Sequence, residues 1–105
     1  RVGSKVSTLR LGQRVIPNQP GTGTWQTFRV ATEQHWMPID HTLPVDIAAT
    51  IAVNPCTAYR IYNDFVDLKS GDVIVQNGAN SQVGLTIIQL AKLKGVKTVN
   101  LIRPR

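Results

Sequence analysis

The sequence is poor in the residues that build thiol and metal chemistry. Its 105 residues hold one cysteine, Cys56, and two histidines, His35 and His41. A lone cysteine excludes an internal disulfide and any cysteine-based zinc cluster. The histidines stand six positions apart, a spacing that neither a helix nor a strand would use to aim both at one metal. No metal site is therefore expected. No stretch approaches the roughly 18 consecutive apolar residues of a membrane helix, so no membrane span is expected either. Acids are scarce as well: six Asp and Glu against twelve Lys and Arg leave a net charge of +6. The basic residues are scattered, without a Lys/Arg run or interleaved aromatics. That pattern argues against nucleic acid and suits anionic small molecules or acidic proteins.

The same scarcity removes the familiar catalytic arrangements. No pair of carboxylates stands out among the six acids. A tyrosine acting as a proton donor with a lysine four residues on is absent, because Tyr59 is followed at that distance by Asn63 and Tyr62 by Val66. No Gly-x-Ser-x-Gly nucleophile elbow occurs. Cys56 has no histidine with a local claim on it, and a buried thiol is ordinarily inert. No catalytic residue is assigned within this chain. Any part it plays in a reaction comes from positioning a cofactor that carries the chemistry.

What is present is concentrated in the 35 residues from Gly71 to Arg105. Val73-Ile74-Val75 is short, apolar and β-branched, which predicts a buried strand. The polar turn Asn77 to Gln82 follows. Val83, Ile87, Leu90 and Ala91 then recur at helical spacing through Lys94, with Gly95 as a stop signal. Val99 to Ile102 reads as a second strand. Strand, turn, helix and strand in this length make a βαβ crossover. Its first turn aims backbone N–H groups and the positive end of the helix above the sheet, a place suited to a diphosphate.

Gly78 and Gly84 stand where a dinucleotide-binding turn needs glycine, but the middle position holds Ser81. No Gly-Lys-Ser/Thr follows, which excludes a P-loop. On its own the turn is compatible with an ordinary crossover as well as with a nucleotide site. About 20 residues past such a turn, an acid selects a free ribose 2′-hydroxyl, whereas arginine accommodates a 2′-phosphate. Here that place holds Arg103, with Arg105 two residues on and no acid nearby. Two guanidinium groups can fork onto a phosphate, which favours NADPH over NADH; the alternative is a solvated basic tail.

Residues 1–29 have the texture of antiparallel β structure. Val2–Val6 and Leu9–Pro17 read as strand ends around turns, residues 18–23 as a loop, and Trp25–Val30 as a half-buried strand. Trp25 reads as a packed core indole or as a cleft wall. Residues 35–44 carry two prolines and are expected to be irregular. Residues 46–62 turn helical, with Pro55 dividing them into helices near 45–53 and 55–63 or kinking one. Asn54 sits at the break, where it either caps the second helix or reaches a ligand. The chain opens on Arg1-Val2-Gly3 without an initiator Met and reads as a fragment of a longer protein.

Taken together, several runs resemble the mitochondrial trans-2-enoyl-CoA reductases, zinc-free members of the medium-chain dehydrogenase/reductase superfamily. They are Asn54-Pro55-Cys56-Thr57-Ala58-Tyr59-Arg60, Gly71-Asp72, Ile74, Gln76-Asn77, Asn80-Ser81 with Val83-Gly84, and Asn100, Ile102, Arg103 and Arg105. Gly23-Thr24-Trp25 and Thr27 are similar too. The resemblance implies an α/β architecture: residues 1–45 as the C-terminal part of a GroES-like catalytic domain, and residues 46–105 as the start of a Rossmann-type domain. It implies an NADPH-dependent reductase that acts on the C2–C3 double bond of enoyl-CoA or acyl-carrier-protein thioesters in mitochondrial fatty acid synthesis, as a homodimer. The family's cofactor residues fall on Asn54, Asn80, Ser81, Gln82, Val83, Arg103 and Arg105, and its catalytic tyrosine falls upstream of this chain. The middle glycine is not kept in this branch. Two departures are Gln82, where a small residue is usual and where it would crowd the turn, and Pro104, which would change the aim of Arg105. The alternatives are a zinc-free quinone reductase of the same superfamily and a truncated product that acts only by binding. This chain alone is expected to be inactive.

Overall fold

The computed structural model describes residues 1–103. It has mixed α/β structure and divides into two compact units, one from Arg1 to Ala52 and one beginning at Val53. The division falls seven residues later than the 45/46 boundary read from the sequence, so residues 46–52 group with the first unit.

In the first unit, strand β1 (Val15–Pro17) pairs antiparallel with β2 (Trp36–Pro38), setting Ile16 opposite Met37. Ile16 is the buried residue of the pair. The ladder is extended by the Asn18 N–H to the His35 carbonyl and the Ile39 N–H to the Arg14 carbonyl, both at 3.1 Å. A single 3-10 turn, Glu33–His35, leads into β2. Its Glu33 carboxylate accepts from the N–H groups of Ser7 and Thr8 and from the Thr8 hydroxyl, at 3.1, 3.0 and 2.7 Å. One side chain thus ties the start of the chain to the turn before β2.

The expected strands here are mostly not formed. Only the last three residues of Leu9–Pro17 are a strand, and Val2–Val6 is turn and irregular backbone. Trp25–Val30 pairs with nothing among the described residues, and Trp25, Phe28 and Val30 are almost fully exposed. Its alternation explains this: Trp25 falls on one face and Phe28 and Val30 on the other, so neither face is apolar throughout. The segment instead curls onto Gly23, whose carbonyl receives the side chains of Gln26 and Arg29. Trp25 is accordingly not a core indole. Conversely, β2 lies inside residues 35–44, which had been expected to be irregular.

The predicted break at Pro55 yields two helices. Pro44 precedes α1 (Val45–Thr50), and α2 spans Asn54–Asp64. Pro55 lies in the first turn of α2, where a missing N–H leaves no intrahelical bond unmade.

The second unit continues with β3 (Val73–Asn77), α3 (Gln82–Leu93) and β4 (Lys97–Leu101). β3 and β4 are parallel, with Ile74 opposite Thr98 and Gln76 opposite Asn100, so the βαβ crossover is as expected. α2 and α3 pack through Ala58, Tyr62, Ile87 and Ala91, joined by Val96 from the link to β4 and flanked by Leu68, Ile74, Val83 and Leu90. Ala58 and Ala91 are wholly buried, and their small side chains let the helix backbones approach closely. Gly95, at φ +70°, ends the helix in the left-handed region. β4 starts at Lys97, two residues before the apolar run, because the Lys97 N–H bonds the Asp72 carbonyl at 2.8 Å. The expectation of a fully buried first strand fails on one side. Ile74 and Gln76 are half-buried, while Val73 and Val75 are 56% and 66% exposed, since a single helical layer covers one face. No helix among the described residues is long and apolar enough to cross a membrane.

Candidate functional site

The site is built where the carboxyl ends of two parallel strands open onto the start of a helix. β3 ends at Asn77, and Gly78 takes φ +59°, a conformation that an L side chain strains to adopt. The Ala79 N–H bonds the Leu101 carbonyl at 3.3 Å, stitching the turn to the end of β4. The Ser81 N–H returns to the Gly78 carbonyl at 2.9 Å and closes the turn.

Ser81 is the N-cap of α3, and its hydroxyl accepts from the Gly84 N–H at 3.1 Å. Its backbone is extended (φ −77°, ψ 162°), so nothing about this position calls for glycine. Gly84 is different. A Cβ there would lie 2.7 Å from the Ala79 carbonyl oxygen, and only glycine lets the first turn of the helix approach the loop this closely. The N–H groups of Gln82 and Val83, the first two helical residues, have no acceptor within the helix. With the helix dipole they make this end attractive to an anion.

A cleft of about 610 Å³ opens here, lined by Asn77, Gly78, Asn80, Ser81, Leu101, Ile102 and Arg103. Of the residues singled out in the sequence, Asn80, Ser81 and Arg103 are brought together. Gln82 and Val83 are not among the lining residues. Gln82 is exposed, and Val83 packs on the helix-pair core. Asn54 is the first residue of α2, and the cap position belongs to Val53, so the capping reading is corrected. Nor does Asn54 line the cleft. Arg105 and Pro104 lie outside the described residues. Cys56 is exposed rather than buried.

Asn77, Leu101 and Ile102 were missed. Adjacent parallel strands end at one crevice, and that rule, applied to the residues just before Gly78 and Arg103, would have found all three. A separate cavity of about 410 Å³ lies in the first unit, bordered by Arg1, Arg10, Arg29, Glu33 and Trp36 among others. Its only carboxylate, Glu33, is already engaged by Ser7 and Thr8, so it offers no free acid–base group.

No protein-family model matches the chain. It is 51% identical over 104 residues to the mitochondrial enoyl-[acyl-carrier-protein] reductase of Caenorhabditis elegans and 55% identical over 104 residues to that of Arabidopsis thaliana. Each match covers 99% of the chain. The chain is thus similar over nearly its whole length to one segment of the mitochondrial enoyl reductases. It spans 30% and 28% of the length of these two reductases. Among solved structures, it aligns over its whole length with 32% of the Etr1p/NADP/crotonyl-CoA complex, at 34% identity and a TM-score of 0.96. The Etr1p/Etr2p heterodimer of Candida tropicalis, a 2-enoyl thioester reductase, matches at 34% identity and a TM-score of 0.94, again over all of the chain and 32% of that one. A protein of Bacillus thuringiensis assigned as an NADPH:quinone reductase matches at 29% identity and 0.80, over 98% of the chain and 31% of its own. The mixed α/β fold is thus that of the enoyl reductases.

Proposed function

We propose that this chain forms part of the nucleotide-binding half of an NADPH-dependent, mitochondrial enoyl thioester reductase. The observation that carries the reading is the cleft itself, which joins a helix-capped turn to an arginine at the end of the neighbouring parallel strand. The residues suit the cofactor. The uncommitted N–H groups of Gln82 and Val83 and the side chain of Asn80 would take the diphosphate, while Ser81 holds the turn by capping α3. Arg103 would take the ribose 2′-phosphate, with Arg105 beside it in sequence. Asn54 is kept as a cofactor contact on the strength of the family pattern alone. The names NADP and crotonyl-CoA in an aligned complex support this cofactor and an enoyl-CoA or acyl-carrier-protein thioester substrate.

The cofactor supplies the hydride that reduces the C2–C3 bond. What this chain supplies is binding and orientation. The domain order we propose is the C-terminal part of a GroES-like domain followed by the start of a Rossmann-type domain. We further propose that the parent protein is a dimer; a related heterodimer is the support for a two-chain assembly. A quinone reductase is the second reading, favoured by the Bacillus thuringiensis match. Parallel assays of the parent protein with enoyl-CoA and with quinones separate the two.

The direct test is thermal unfolding of this polypeptide alone, then with NADPH, then with NADH. A ligand that binds only the folded state at a hundredfold excess over its Kd adds about 2.7 kcal/mol. A cooperative melt raised by NADPH and less by NADH is the expected result. A cooperative melt indifferent to both would overturn the cofactor site in this chain.

A further inference from the structure

Gln76 and Asn100 stand opposite each other in the parallel ladder, each one residue before a cleft-lining residue, Asn77 and Leu101. The Gln76 Nε2 donates to the Asn100 Oδ1 at 2.8 Å and to the Gly84 carbonyl at 3.2 Å. Both of its hydrogens are therefore used. The Asn100 Nδ2 in turn donates to the Thr98 hydroxyl at 3.0 Å. This chain of bonds fixes the orientation of both amides, because a reversed Gln76 would set its oxygen against two acceptors. One carboxamide thus joins β3, β4 and the first turn of α3, at the residue whose N–H the Ser81 hydroxyl holds.

We infer that the Gln76–Asn100 amide bridge is a positioning device that sets the span between the diphosphate turn and Arg103, and through that span the preference for NADPH over NADH. The inference rests on the nucleotide reading above. In NADPH the separation of diphosphate and 2′-phosphate is a property of the cofactor, so both are held only if the two strand ends keep the matching distance. Charge-assisted hydrogen bonds weaken quickly when misplaced. NADH has no group to offer Arg103 and is anchored at the turn, so a relaxed span costs it less. Gln76 and Asn100 act here through other residues and touch no reacting atom.

The test uses the full-length parent reductase with steady-state kinetics in NADPH and in NADH, comparing Gln76→Leu, Asn100→Leu, their double variant and Arg103→Ala. Each amide variant is expected to lower the NADPH-to-NADH ratio of kcat/KM roughly tenfold, through the KM for NADPH, with kcat and the KM for the enoyl thioester kept. Because the two residues share one bond, the double variant is expected to be no worse than the poorer single one. Equal losses with both cofactors, or losses that add, would overturn the bridge as a positioning device and leave it a general support of the fold. Asn100→Leu leaves the Gln76 bond to Gly84 in place and decides the matter even where Gln76→Leu does not fold. Arg103→Ala separates the two levels. If it leaves the ratio unchanged, the reading of Arg103 falls and the bridge's role with it; if it collapses the ratio while the amide variants do not, the bridge alone is wrong.

Discussion

Ser81 and Gly84 sit three residues apart on one turn and answer to different physics. Ser81 has an ordinary extended backbone and contributes its hydroxyl to the Gly84 N–H. Ser81→Ala is expected to cost about 1 kcal/mol by unfolding of the parent protein, whereas Ser81→Gly costs only about a few tenths, as N-caps do elsewhere. Equal losses for the two variants would show that the cap is not what Ser81 supplies. Gly84 has no such latitude, since a Cβ there meets the backbone of Ala79 at 2.7 to 2.8 Å. Gly84→Ala should destabilise by roughly 1–3 kcal/mol and weaken NADPH binding, measured by melting and by titration. A silent Gly84→Ala would mean that loop and helix are not in close approach. The extended backbone at Ser81 thus needs no glycine, and its hydroxyl caps the helix.

Among the elements, the turn that leads into β2 is tied to the start of the chain by one carboxylate, Glu33. The Thr8 N–H and hydroxyl, followed by the Ser7 N–H, hold the Glu33 carboxyl below its ordinary value of 4.5. A carboxyl lowered on folding stabilises fully above its unfolded pKa, and that contribution is lost as pH falls through the lowered folded value. Asp40 and Asp67, lowered chiefly by Thr42 and Lys69, act in the same direction, and each is expected to contribute less to stability as the pH falls. Glu33→Gln should remove only its own share. Melting curves of wild type and variant are expected to differ most above about pH 4.5 and to converge below it. A constant difference at all pH values would mean the bonds to Ser7 and Thr8 do not matter in solution. α3 was legible because Val83, Ile87, Leu90 and Ala91 repeat at 3.6-residue spacing and Gly95 stops them. Residues 25–30 were misread because alternation signals a strand only where a partner strand and one consistent apolar face exist.

At the scale of the whole molecule, one face of the β3–β4 sheet is bare. Val73, Val75, Val99 and Leu101 are 47% to 66% exposed, and Phe65 and Leu93 are 80% and 83% exposed. Parallel sheets ordinarily bury both faces. A polypeptide of these 105 residues should therefore expose apolar surface that binds a hydrophobic dye. It is also expected to give no enoyl reductase turnover, because the site proposed for it would only bind and orient a cofactor, and no Tyr, His, Asp, Glu or Lys lines the cleft among the described residues. A measurable rate from the polypeptide alone would overturn that expectation.

From the sequence alone came whatever depends on near neighbours: the α3 period, the stop at Gly95, the division into α1 and α2 at Pro55, and a basic balance of charge. Each is a matter of local sterics, spacing or composition. Tertiary structure alone decided that Leu101 and Ile102 share a cleft with Asn80. It also decided that Gln76 and Asn100, 24 residues apart in the chain, meet at 2.8 Å. Those outcomes depend on which strands lie side by side and in what register, and a contact between distant residues leaves no period in the sequence that would announce it.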